Sequence, residues 1–169
     1  HSRRALLAQA ATDGKSELDL EIVRVLDAPR AKVWQAWSDP ACLKQWWCPK
    51  PWVTEVKAFD FRPGGAFHTY MTAPEGPSGG ESDNPGLFLE IRPMERIVCT
   101  SMLVEGWRPA APWIAITSIF LMEDAGAGTR FTARCLHLDK AGRDRHAEMG
   151  FFEGWGIMID QLESDARAL

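Results

Sequence analysis

No stretch of this sequence stays apolar for the roughly 20 residues that a bilayer-spanning helix needs, so no membrane insertion is expected. Nothing ahead of the first strand reads as a signal peptide, and a cytoplasmic location is expected. Positive charge is not in excess: 19 Lys and Arg against 23 Asp and Glu leave a net charge of −4. Nucleic acids and acidic membranes reward a basic face that releases counterions, so no nucleic-acid partner is expected. Cysteine is scarce, with only Cys42, Cys48, Cys99 and Cys135, and no C-x-x-C pair among them. The Cys42/Cys48 spacing suits neither a zinc knuckle nor a redox motif, so all four are expected as reduced thiols. Cys99 and Cys135 fall in strand-like runs, where a thiol acts as a small buried apolar group. His68, His137 and His146 form neither an i, i+4 helical pair nor H-E-x-x-H, so neither metal nor cofactor is expected. Tyrosine is the last shortage: one, against eight tryptophans.

What is present reads as globular. The chain has 169 residues, 46% of them hydrophobic and 25% charged, enough for one domain and too few for two. Residues 1–16 are expected to be an N-terminal arm, with His1-Ser2 as a tag remnant and a short helix over Arg3–Ala11; residues 17–169 form the single domain. In the first strand, Glu17–Leu26, the apolar phase passes from Leu18, Leu20 and Ile22 to Val23 and Val25, which predicts a bulge or a change of covered face. Pro29 then opens a helix to Ser38, with Asp27 placed to cap its start, and Asp39-Pro40 starts a second short one to Trp46. Of the four tryptophans there, Trp34 and Trp37 are expected to pack on the sheet, and one of Trp46 and Trp47 to line a cavity mouth.

Six strands follow with turn-rich boundaries: Trp52–Phe61, Ala66–Thr72, Gly86–Arg92, Arg96–Leu103, Trp113–Glu123 and Thr129–Leu138. The Gly-, Pro- and Ser-rich connection 73–85 is expected to be mobile, and 105–112 is a second long loop. Phe151, Trp155, Met158, Leu162 and Ala166 recur at spacings of 4, 3, 4 and 4, the apolar stripe of a closing helix. Gly154 and Gly156 weaken that helix, which predicts a close approach to its backbone or a bend. The order predicts an α+β fold in which a seven-stranded curved antiparallel sheet surrounds a long C-terminal helix, with two short helices after the first strand. The gap between sheet and helix is then the natural binding site.

The order and several motifs resemble the START-like (SRPBCC) helix-grip superfamily, in the branch named for activators of heat-shock ATPases. The motifs are Ala28-Pro29 with Val33-Trp34, Asp39-Pro40, Trp46-Trp47 with Pro49, Asp60-x-Arg62-Pro63-Gly64-Gly65, Gly86 with Glu90-Ile91, Pro93-x-Glu95-Arg96-Ile97, Gly128-Thr129-Arg130, and Glu153-Gly154-Trp155 with Leu162. They span Leu18 to Leu169 in order. The resemblance implies the helix-grip fold, shared by polyketide cyclases, lipid-transfer domains and stress-response ligand carriers. It does not fix the function, because one fold hosts many. The co-chaperone role in the branch name depends on a separate N-terminal domain that this sequence does not contain, so that role is not expected.

Two functions from different classes remain. One is a carrier or sensor that holds a hydrophobic small molecule without turnover. The other is a cyclase- or dehydratase-like enzyme using a cavity carboxylate or histidine. The ligand-lining candidates are Trp47, Phe67, Met71, Phe88, Thr117, Ile119, Phe131, Ala133, Cys135, Trp155, Met158 and Ile159, with Glu90 or Arg62 as the polar end. Glu90 and His137 are the acid–base candidates. The phase around Glu90 stays open, since Leu87, Leu89 and Ile91 compete with Phe88 and Glu90 for the inner face; His137 reads as a strand-end residue at the surface or as a cavity base. Asp60 and Arg62 share a strand face and serve as an ion pair fixing the Gly64-Gly65 turn, as a contact to Glu90, or as a polar anchor for a ligand. An uncovered convex face and edge strands favour a homodimer.

Overall fold

A computed structural model describes residues 17–169, so the arm and its helix over 3–11 lie outside the described residues. The long strands are β1 (Asp19–Leu26), β9 (Ile116–Ala125) and β10 (Gly128–His137), where alternating apolar residues end at Pro or Gly turns. With β5 (Leu87–Arg92) and β6 (Arg96–Thr100) they form an antiparallel sheet in the order β1-β10-β9-β6-β5. A second sheet contains β2 (Val53–Phe59), β3 (Phe67–Thr72) and β4 (Glu81–Asn84). Gly64 and Gly65 exchange backbone hydrogen bonds with Phe88, and Phe67 N donates to Gly86 O at 3.1 Å. An isolated bridge between Ala66 and Leu87 completes the seam, so the two sheets continue as one curved wall.

All seven expected strands are present, and the described residues hold three more: two in segments expected as loops and one, Leu103–Val104, at the end of the strand expected over Arg96–Leu103. β4 lies within 73–85 and pairs with β3, while β7 (Leu103–Val104) and β8 (Arg108–Pro109) form a small ribbon of their own. The connection 73–85 is therefore partly ordered by a ladder rather than free along its length. β1 pairs with β10 in unbroken register from Asp19 to Leu26. The bulge expected there is absent: Leu20, Ile22 and Leu26 face the core, and Val23 and Val25 are simply exposed on the outer face. The register shifts fall instead between Val56 and Ala58 and between Phe88 and Glu90.

Among the described residues four α-helices sit inside and around this wall: α1 (Arg30–Ser38), α2 (Pro40–Trp46), α3 (Lys140–Glu148) and α4 (Phe151–Arg167). Asp39 caps α2 by accepting from Ala41 N, as Asp caps do. Asp27 does not cap α1. It pairs with Arg167, while its own N–H donates to Glu163 Oε2 at 2.7 Å, tying α4 to the end of β1. α3 was not expected; Asp139 caps it through Gly142 N and Lys140 pairs with Asp144 one turn on. Its Gly150 neighbour adopts φ +97°, and this left-handed residue turns the chain into α4.

α4 buries Phe151, Met158, Ile159, Leu162 and Ala166 against the concave face, the stripe that the spacing predicts with Trp155 half-buried beside it. Trp37 has no exposure and is surrounded by the rings of Trp46, Trp47, Phe61, Phe67, Phe88 and Phe120. Trp46 is equally buried, and its Nε1 donates to Ala36 O at 3.0 Å. This aromatic plug closes one end of the space between helix and sheet. The other end stays open.

Candidate functional site

At the open end lies a cavity of about 410 Å³ between the C-terminal helix and the curved wall. That is within the range of small-molecule sites. β3 contributes Phe67, Thr69 and Met71 from alternate positions, as a strand must when one face lines a space. α4 contributes Phe151, Gly154, Trp155 and Met158 at spacings of one helical face. Trp47 enters from the α2 loop, and Cys99 and Ser118 stand side by side on β6 and β9 at the floor. Among the described residues no Asp, Glu, Lys or Arg lines this space.

The Trp47 loop is held from the helix. Gln161 Nε2 donates to Trp46 O at 3.1 Å and to Cys48 O at 2.8 Å, and Lys50 N donates back to Gln161 Oε1 at 3.0 Å. The Thr54 hydroxyl meets Trp47 O and, at 2.9 Å, Cys48 Sγ. These bonds hold Cys48 at φ +121°, uncommon for a side-chain-bearing residue, and set the Trp47 ring edge-on to Trp155. Gly154 faces the cavity, and a Cβ there would find nothing within 4 Å. The close approach expected at Gly154 and Gly156 is therefore not present. At Gly154 the missing side chain leaves room.

Most polar groups on the wall are engaged with the protein itself. Trp113 Nε1 donates to Asn84 Oδ1 at 3.1 Å, and Asn84 Nδ2 donates to Ser82 Oγ at 3.0 Å. The Ser101 hydroxyl donates to Ile114 O at 2.7 Å, and Ser118 Oγ lies 3.4 Å from Cys135 Sγ. Burial pushes the Cys99 thiol far up and the Cys135 thiol up to about 11, so neither supplies a thiolate near neutral pH. His146, on α3, is different. Its Nδ1 sits 2.8 Å from His137 Nε2, and its ring meets Phe151 edge-on. Burial, with His137 beside it, pulls its pKa down to about 4, so the ring is neutral at pH 7.

The expected lining residues divide. Trp47, Phe67, Met71, Trp155 and Met158 lie on the cavity wall. Phe88, Phe131, Ala133, Cys135 and Ile159 point to the same side but are packed into the core beside it. Thr117 and Ile119 belong to the other face: Ser118, Phe120 and Met122 are the buried phase of β9, and the Thr117 hydroxyl bonds to Thr100 on the outside. Glu90 is not a polar end either. The irregularity after Phe88 lets Phe88 and Ile91 both face inward and puts Glu90 outside, 3.4 Å from Arg92 and 3.3 Å from Arg96.

Arg62 is exposed and bonds Asp60 Oδ2 at 2.8 Å, away from the cavity. The pair flanks a turn in which Gly64 has φ +81° and a Cβ on Gly65 would fall 1.9 Å from Asp60 O, so the turn demands both glycines. His137 is buried rather than at the surface, with Nδ1 2.8 Å from Leu18 O. His146, set aside in the sequence as a metal ligand, is a wall residue that no local pattern pointed to, although its helix is marked by Asp139-x-x-Gly142 and the Lys140/Asp144 spacing.

Helix, curved wall and intervening cavity define a START-like helix-grip protein. Residues 27–165 match the model of the family described as activator of Hsp90 ATPase homolog 1-like protein, and the chain belongs to that family. It is similar to a crystal structure of a Nitrosomonas europaea protein at 41% identity, covering 90% of this chain and 96% of the other, with a TM-score of 0.83. A solution structure of an Arthrobacter aurescens protein is 26% identical over 91% of this chain and 88% of its own, with a TM-score of 0.76. A Mycobacterium smegmatis crystal structure, 24% identical over 89% and 91%, shares the fold with a TM-score of 0.74. No curated protein matches. Among the described residues no helix is long and apolar enough to cross a membrane.

Proposed function

We propose that the protein binds a hydrophobic small molecule between its sheet and C-terminal helix, as a carrier or sensor without turnover. The observation that carries this reading is an open space of about 410 Å³ whose wall, among the described residues, is rich in aromatic and methionine side chains and has no Asp, Glu, Lys or Arg. Apolar ligands are driven into such a space by the area they withdraw from water. Turnover would need an acid–base pair or a nucleophile aimed at the ligand. The cavity thiols are buried and protonated, and the carboxylate considered for that work, Glu90, is outside.

Native mass spectrometry after exposure to a lipid and metabolite extract tests the reading. Retention of one apolar molecule of constant mass per chain supports it; recovery of a chemically converted product supports the cyclase-like alternative. A bare chain under all conditions contradicts both.

A symmetric dimer is proposed alongside. It is supported by β1, an outer strand of its sheet that exposes Val23 and Val25 on its outer face. Light scattering should give about twice 18.9 kDa, and the monomer mass at high concentration would contradict it.

A further inference from the structure

Most polar groups along the cavity are spent on one another, and His146 Nε2 is one of those that are not. His146 Nε2 makes no hydrogen bond among the described residues, although His146 lies on the cavity wall. Its chemical sense follows from the chain of contacts behind it. The Leu18 carbonyl can only accept, so His137 Nδ1 carries a proton, 2.8 Å away. Of the two ways to share the 2.8 Å contact between the rings, the one with a single proton on His137 leaves its Nε2 bare to accept from His146 Nδ1–H. That leaves the neutral His146 ring with a bare Nε2, an acceptor with its lone pair unspent. With no partner in the described protein, this acceptor is free to take a donor from a ligand in the cavity.

We propose that His146 Nε2 orients the ligand by accepting its hydroxyl proton, and that the ligand is an uncharged aromatic alcohol of the phenol type. The inference deepens the ligand-binding reading above and rests on it. Trp47, Phe67, Phe151 and Trp155 present rings to the space, which suits a flat aromatic body. No Asp, Glu, Lys or Arg stands on the wall among the described residues, which give a charged ligand no counter-ion, and burying an unpaired charge is far more costly than burying a hydroxyl with a partner. His137 is a positioning residue here: buried and anchored to β1 through Leu18 O, it fixes both the tautomer and the direction of the His146 ring.

A matched pair of compounds tests this. Calorimetry at pH 7 with 2-naphthol and naphthalene is run on the parent and on His146→Phe. The parent should bind both, and the substitution should weaken 2-naphthol by about tenfold while leaving naphthalene nearly unchanged. Equal effects on the two compounds, or none on either, overturn the assignment while leaving the cavity reading intact. If the parent binds neither compound, the cavity reading fails with it.

Nitrogen-15 NMR of the parent serves as well should His146→Phe not fold. The His146 Nε2 resonance should be that of an unprotonated imidazole nitrogen, and 2-naphthol should move it where naphthalene does not. A protonated Nε2, or a resonance indifferent to 2-naphthol, overturns the proposal.

Discussion

Gln161 Nε2 donates to the carbonyl oxygen of Cys48 at 2.8 Å, so the C-terminal helix itself holds the loop that brings Trp47 to the cavity. The same amide meets Trp46 O and Lys50 N, giving three hydrogen bonds from one side chain. Gln161→Leu removes them and leaves three backbone groups to find water. It should cost about 1–3 kcal/mol, read as a lower urea midpoint. The Lys50 amide should exchange faster than in the parent. Unchanged exchange at Lys50 would mean that the loop is held by Thr54 alone.

His146 gives stability a pH dependence of definite sign. Its folded pKa is lowered from 6.5 to about 4, chiefly by burial. Between those values the unfolded chain binds the extra proton and the folded chain does not. The contribution is complete above the unfolded value and is lost as pH falls from 6.5 toward 4. Because solvent reaches part of the ring, the loss is roughly 1–2 kcal/mol. Urea midpoints between pH 7 and pH 4 should fall in the parent and fall less in His146→Phe. Parallel curves would place the titration elsewhere.

Ala133 lies opposite Phe120 across the β9–β10 pair and has no exposure. Its neighbours already fill the space, so Ala133→Phe should overpack the core rather than fill the cavity. The expected cost is about 1–3 kcal/mol, seen in thermal melts. A variant as stable as the parent would reveal empty volume next to Ala133.

Where the sequence carries a single clear period, it reads correctly. The stripe from Phe151 to Ala166 keeps to one helical face, with Phe152 and Ile157 exposed outside it, and most of the seven expected strands are bounded by Gly or Pro turns. β9 has no such clarity, because Ile119 and Leu121 are as apolar as Phe120 and Met122. Its phase is decided by pairing with β6 and β10, which no local pattern records. Around Glu90 the difficulty is physical too: the irregularity after Phe88 breaks the period of two, so neither continuous phase is right.

Val23 and Val25 are a similar case, since apolar residues on an outer sheet face mimic a phase slip. The short strands β4, β7 and β8 escape notice because β4 is Glu-Ser-Asp-Asn, polar throughout, and β7 and β8 have two residues each, too few to show a period. His146 is nine residues from His137 and belongs to a polar helix, so only the fold brings the two rings together.

The central claim is that an apolar ligand enters the space beside the C-terminal helix, and Gly154 offers the most direct test. A side chain there projects into open volume, and replacing a helical glycine recovers up to about 1 kcal/mol of propensity. Gly154→Phe should therefore fold with the circular dichroism of the parent and melt no lower. Binding is measured by fluorescence titration with the uncharged dye N-phenyl-1-naphthylamine. The parent should saturate at one dye per chain and Gly154→Phe should show no saturable binding. Equal dye binding by both proteins, or none by the parent, would contradict the account.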